Sequence, residues 1–269
     1  MRALKNVITL LILTAVLVAC ATSPTGRKQL MLVSEEQAIS SSKQAYVATV
    51  KDLDAKGQLS TDRATIERVE RITGRLIAQA IEMRPDSADW EWSVVVIDDP
   101  KTVNAWCMAG GRMAIYTGLI EQVRPTDDEL AQVMGHEISH ALANHTAEKM
   151  SVQMASAVGV AAVGIVADNH VAALGGAALA AAYAINKPNS RAAEREADRI
   201  GIELAAKAGY DPAAAPTLWN KMGEVGGSEP PQWMSTHPSS DNRQAYLAEL
   251  VPEMQAYFDP RADHPVYRL

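Results

Sequence analysis

Phenylalanine occurs once in this 269-residue chain, aromatic residues make up 5% of it, and cysteine occurs only twice. So few aromatics argue against a sandwich of aromatic-rich strands, whereas 11 methionines and abundant alanine suit helices packed through small contacts. Two cysteines exclude a disulfide framework. An excess of positive charge is missing too: 32 acidic against 25 basic residues give a formal charge of −7, which excludes the basic surface that nucleic-acid binding needs. No uninterrupted apolar run reaches the roughly 20 residues of a membrane-spanning helix. What is present is 48% apolar content, enough for one good core, so one main domain is expected.

The N-terminus differs from the rest. Arg2 and Lys5 precede the apolar run Val7 to Ala19, which reads as a signal peptide over residues 1–19. The run ends in "LVAC", Leu17 to Cys20, which is similar to the lipobox of bacterial lipoproteins, making Cys20 the expected lipid attachment site and new N-terminus. Removing Arg2 and Lys5 takes the formal charge to about −9. Ala21, in place of an aspartate, favours by the sorting rules of enveloped bacteria the outer membrane, facing the periplasm. With Cys20 lipidated, Cys107 is left without a disulfide partner. Residues 20–33, with "ATSPTGRKQ", read as a tether, 34–258 as the main domain and 259–269 as a C-terminal tail.

Ser34 with Gln37, and Thr126 with Glu129, have the spacing of capping boxes, so helices are expected from Ser34 to about Val50 and through "PTDDELAQVMGHEISHALANHTAEKM". Helical patterning also covers Thr61 to Met83, 191 to about 208, and Arg243 to about Phe258. "WEWSVVVIDD" and "GRMAIYTG" read as strands. Ser151 to Ile185, rich in Ala, Gly and Val, reads as a helical hairpin turned at "ADNH" and packed on the body, with contact to a membrane surface as the alternative.

The stretch "MGHEISHALANH", Met134 to His145, holds three of the six histidines. His136 and His140 stand one helical turn apart, so both imidazoles leave one face and can bind one cation, with Glu137 beside them within reach of a water. This is H-E-x-x-H. A catalytic zinc keeps three protein ligands and lowers the pKa of a water toward about 7, where a carboxylate such as Glu137 can act as general base. On a continuous helix His145 is about half a turn away from His136, so it is expected to point away from the metal and to be structural. The third ligand is expected from "SRAAEREAD". There Glu194 and Asp198 share a face, one to bind metal and the other to receive a ligand histidine's Nδ1 proton, while Glu196 is expected on the exposed side.

"HEISHALANH", "SRAAEREAD", "STHPSSDNR" and "NAWCMAGGRMAIYTGLI", in that set, resemble the zinc metallopeptidase family that includes the HtpX heat-shock protease and the CAAX prenyl endopeptidases. "TGRKQLMLVSEEQ" is similar to its soluble periplasmic lipoprotein branch, and the resemblance spans roughly Thr25 to Leu250. It implies an α+β, mainly helical gluzincin domain with a small sheet beside the H-E-x-x-H helix. It implies one zinc ion held by His136, His140 and Glu194, with Glu137 as general base and Asp198 behind a ligand. Cys107 stands where the family usually has a less reactive small residue.

From these parts comes the expected activity: endopeptidase cleavage of unfolded or misassembled envelope proteins by a lipid-anchored enzyme, with a chaperone-like lipoprotein that binds nascent outer-membrane proteins as the alternative. "GGRMAIYTG" is expected to be the sheet edge that pairs with substrate, with Asn104, Ala105, Gly110 and Gly111 binding substrate backbone. His237 is expected to reach the zinc site, as oxyanion donor in preference to a latch on the metal, and Arg243 to orient its loop or the substrate carbonyl.

Overall fold

Helix starts follow the capping signals. Ser34 and Thr126 each accept the backbone amide three residues on, and each receives the side chain of Gln37 or Glu129 in return. A cap of this kind contributes about 1 kcal/mol. These boxes open α1 (Glu35–Ala55) and α3 (Asp127–Leu142), and Asp62 caps α2 (Arg63–Met83) between them. The computed structural model describes residues 20–166, 191–225, 232–237 and 242–269.

Five short strands are present among the described residues. β1 (Cys20–Thr22) and β2 (Lys28–Leu30) form an antiparallel hairpin. β3 (Ser93–Ile97) runs parallel to β5 (Arg112–Tyr116), and β4 (Ala105–Met108) runs antiparallel to β5, giving the order β3-β5-β4. The expected edge strand is therefore the central one: "GRMAIYTG" is paired on both sides, and the outer strand toward the site is "AWCM". Gly110 and Gly111 form the β4–β5 turn with φ of +82° and +78°. A Cβ on them would lie 2.9 Å from Ile39 and 2.3 Å from Trp92. Both glycines, expected to bind substrate backbone, are buried turn residues.

Helix α3 is the centre of the core. From Glu129 to Leu142 every residue but His140 is buried, and Leu130, Met134 and Ile138 are fully so. Truncating one of these to alanine costs about 2–5 kcal/mol. The expected continuous helix through Met150 stops at Ala143, because Asn144 adopts a left-handed φ of 55° and α4 (His145–Val166) sets off anew. Asn tolerates that conformation, and its side chain donates to Glu35 while Arg84 caps the Leu142 carbonyl at 2.9 Å. Residues 151–166 of the expected Ala/Gly hairpin continue α4; its remainder lies outside the described residues. No helix among the described residues is long and apolar enough to cross a membrane.

Helix α5 (191–207) crosses α3 where both carry glycine. A Cβ on Gly135 would sit 2.9 Å from the Gly201 carbonyl oxygen, and one on Gly201 2.8 Å from the His136 amide nitrogen. The two backbones touch, which brings the acidic residues of α5 against the histidines of α3. The chain continues through α6 (Ala214–Glu224), α7 (Gln232–Thr236) and α8 (Arg243–Met254). The C-terminal tail, residues 259–269, returns to α2, where the Tyr267 amide donates to the Gly74 carbonyl at 2.9 Å.

Candidate metal centre

His136, His140, Glu194 and His237 each turn a ligand atom toward a common point, all within 4.8 Å of one another. His140 Nε2 is 3.1 Å from His136 Nε2. Glu194 is 3.2 Å from His136 Nε2 and 3.4 Å from His140 Nε2. His237 Nδ1 is 3.3 Å from both His136 Nε2 and the Glu194 carboxylate. Three imidazole lone pairs and a carboxylate facing one another repel unless a cation lies among them. That donor set, nitrogen from histidine and oxygen from glutamate, is zinc's.

Each of the two α3 histidines in the cluster has a support behind it. His136 Nδ1 is 3.0 Å from Asp198, whose same oxygen accepts from Arg243 Nε at 3.0 Å and Nη2 at 2.5 Å. Arg243 in turn lies over Trp219, 3.9 Å from its ring centroid. Burial and Arg243 pull the His136 pKa down, but Asp198 and Glu194 outweigh them and push it up to about 9, a preference for positive charge that a metal ion also meets. His140 is held well below the usual histidine range, first by burial and then by its histidine neighbours, against the opposing pull of Glu194. Burial pushes the Glu194 carboxyl up, yet His140, His136 and His237 hold it far below the ordinary range.

Behind His140 the arrangement departs from expectation. His145, freed from the line of α3 by the break at Asn144, turns back and places Nδ1 2.8 Å from His140 Nδ1. Its Nε2 is 3.1 Å from Glu196. Glu196 is buried, not exposed, and also accepts Thr25 Oγ1 at 2.6 Å and Arg27 Nε at 2.7 Å. Burial pushes its carboxyl up, but these hydrogen bonds hold it well below the ordinary range. The segment expected as a tether is thus a folded hairpin seated beside the site.

Glu137 is buried and accepts Trp233 Nε1 at 2.7 Å, with His237 Nε2 3.4 Å away. Trp233 escaped the sequence reading, although it stands four residues before His237 on what proves to be the short helix α7; its amide is anchored on the Val103 carbonyl at 3.0 Å. A cavity of about 410 Å³ lies in front, lined among others by Trp106, Cys107, Glu137, His140 and His237. Cys107 is free and buried, and burial pushes its thiol well above the usual range. The Asn104 carbonyl is taken by the Tyr116 amide at 3.1 Å, so the antiparallel alternation turns the N–H and C=O of Ala105 and Cys107 to the outer side of β4, where the Asn104 side-chain oxygen accepts the Ala105 amide at 3.0 Å. Of the four residues expected to bind substrate backbone, Asn104 stands just before this outer strand, Ala105 opens it, and Gly110 and Gly111 lie in the turn that follows it.

Residues 63–251 match Peptidase family M48. The chain belongs to that family. Human "Metalloendopeptidase OMA1, mitochondrial" is 34% identical over 242 residues, 85% of this chain and 45% of the human protein. "Putative beta-barrel assembly-enhancing protease" of Vibrio cholerae is 30% identical over 186 residues, 66% of this chain and 37% of that protein. Metalloprotease YcaL of Escherichia coli is 27% identical over 255 residues, 88% of this chain and 97% of its own length. The chain therefore spans less than half the length of the human and Vibrio relatives and nearly all of YcaL. Enzymes of the family depend on zinc, and the donor set of this chain fits that metal.

Proposed function

We propose that this chain is a zinc-dependent endopeptidase of the bacterial cell envelope, attached by lipid at Cys20 to the outer membrane, facing the periplasm, and cutting unfolded or misassembled envelope proteins. The carrying observation is the convergence of His136, His140 and Glu194 at one point, with Glu137 on the same helix as the two histidines and aimed by Trp233. The location rests on the N-terminal lipobox-like stretch and on the printed name of the Vibrio relative; the human relative's name assigns that protein to mitochondria. The hairpin within residues 20–33, expected as a tether, is read here as packed with the catalytic unit through Arg27.

When bound, zinc supplies a polarised carbonyl and an acidified water at the site. His136, His140 and Glu194 would hold it, Asp198 fixing the His136 ring with Nδ1 protonated and Nε2 free. Glu137 takes the proton from the attacking water and passes it to the leaving amine, and its burial against Trp233 keeps that carboxylate in one orientation. An extended substrate pairs with the outer amide and carbonyl of Cys107 and the carbonyl of Ala105 as an added strand, a recognition that tolerates sequence variety.

His237 fills the fourth donor position of the cluster, which favours the latch over the oxyanion role expected from sequence. Four protein ligands close a tetrahedral zinc site, and three open it. Arg243, 3.4 Å from the His237 carbonyl oxygen and bonded to Asp198, ties the latch to the ligand support. The test is casein digestion by wild type and Glu137→Gln, each with and without a chelator. Wild type alone should be active, with zinc retained in the variant; equal digestion in all four samples overturns the assignment. In cells, Cys20→Ser should leave the membrane fraction, and a variant that stays there after a high-salt wash removes the lipid anchor.

A further inference from the structure

The hairpin β1–β2 places Thr25, Arg27 and Gln29 beside the metal centre, although they lie more than a hundred residues before it in sequence. Arg27 joins two buried acids: Nε donates to Glu196 at 2.7 Å, and Nη1 and Nη2 donate to Glu148 at 2.7 and 2.6 Å. Gln29, also buried, donates to Glu148 at 3.0 Å and to the Ala143 carbonyl at 2.8 Å, where α3 ends. The Glu196 oxygen that receives Arg27 is the one that faces His145 Nε2, while Thr25 holds the other.

Tautomer logic gives these contacts a direction. For His140 to offer its Nε2 lone pair to a metal, its proton must sit on Nδ1. The His145 Nδ1 that faces it at 2.8 Å must then accept, so the proton of His145 sits on Nε2 and is donated to Glu196. One carboxylate thus determines the tautomers of two histidines in series. Its own orientation is determined by the hairpin.

We infer that Arg27 is a positioning residue of the metal centre, acting through Glu196 and His145 to hold His140 in the ligating tautomer and ring orientation. This rests on the assignment of His140 as a zinc ligand. Arginine suits the task because its fork serves Glu196 from Nε and Glu148 from both terminal nitrogens, which a lysine ammonium on one point cannot do. The imidazole that lies between Glu196 and the ligand is the second unusual element. Losing a support behind a ligand histidine typically costs about 10- to 100-fold in metal affinity.

The experiment measures zinc affinity by competition with a chromophoric chelator, and the visible spectrum of the cobalt-loaded protein, in the full chain. Variants are Arg27→Gln, Glu196→Gln, the double variant, and Glu148→Gln. Arg27→Gln and Glu196→Gln should each lower zinc affinity at least about 10-fold and alter the cobalt spectrum, and the double variant should be no worse than the weaker single, because both act along one line. Glu148→Gln keeps an acceptor for Arg27 on the side away from His145 and should lower zinc affinity less than Glu196→Gln does. Should Arg27→Gln fail to fold, as the exposure of two buried acids to each other allows, Glu196→Gln decides alone. Wild-type affinity in a folded Glu196→Gln overturns the inference, as does equal loss in Glu148→Gln. A wild-type chain that binds no zinc overturns this inference together with the ligand assignment beneath it; wild type with one equivalent and unaltered variants overturns this inference alone.

Discussion

The two α3 histidines of the candidate metal centre are supported in parallel but unequal ways. His136 meets a carboxylate directly, Asp198, and Arg243 of the last helix fixes that carboxylate. His140 meets its carboxylate, Glu196, one imidazole further out, and an arginine from the opposite end of the chain fixes it. Both carboxylates come from α5, two residues apart, on different faces of a helix buried on both. The difference teaches that neighbouring histidines on one helix can draw their supports from segments more than two hundred residues apart in sequence, Arg243 for one and Arg27 for the other.

The largest expected effect comes from removing what both sides share. Gly201→Leu puts a side chain where a Cβ alone would lie 2.8 Å from the His136 amide, so α3 and α5 must part, and both Asp198 and Glu196 move off their histidines. Zinc binding should be lost altogether and the melting temperature should fall, measured by metal content and calorimetry. A folded Gly201→Leu protein with full zinc would show that the helix contact does not position the site.

Next comes the contrast itself. Asp198→Asn should weaken zinc more than Glu196→Gln does, toward about 100-fold against about 10-fold, since Asp198 touches the ligand and Glu196 acts through His145. Equal losses would mean that the intervening imidazole transmits the support undiminished. The same chelator competition reads both.

How much of this was legible follows the same division. The His136 side could be read from spacing, because His136 and His140 lie on one unbroken helix and Glu194 and Asp198 on another, where a period of 3.6 residues holds. The His140 side could not. Placing His145 by 100° per residue assumed that α3 continues, and the left-handed Asn144 ends that assumption. Glu196 was assigned to solvent because a helix with one functional face usually exposes the other, and here the hairpin of residues 20–30 covers it. Strand order was equally out of reach: "AWCM" is four residues long and its alternation is too brief to identify a strand, so the longer "RMAIY" was given the edge. The sheet, the capped helices and the α+β class were readable because each rests on local patterns.

The smallest effect belongs to His237, which touches both sides through His136 and Glu194. His237→Ala should raise basal peptide hydrolysis several-fold while zinc stays bound, since three protein ligands remain and the fourth position opens. A steep fall in turnover, of the about 100- to 1000-fold kind that follows loss of an oxyanion donor, would restore the role expected from sequence.

The central claim is that one zinc ion lies between the two sides, held by His136, His140 and Glu194. Metal content of purified wild type and Glu194→Ala, by mass spectrometry after dialysis, tests it most directly. About one equivalent in wild type and less than about a tenth in Glu194→Ala is the predicted result. Equal zinc in the two proteins, or none in either, would contradict it.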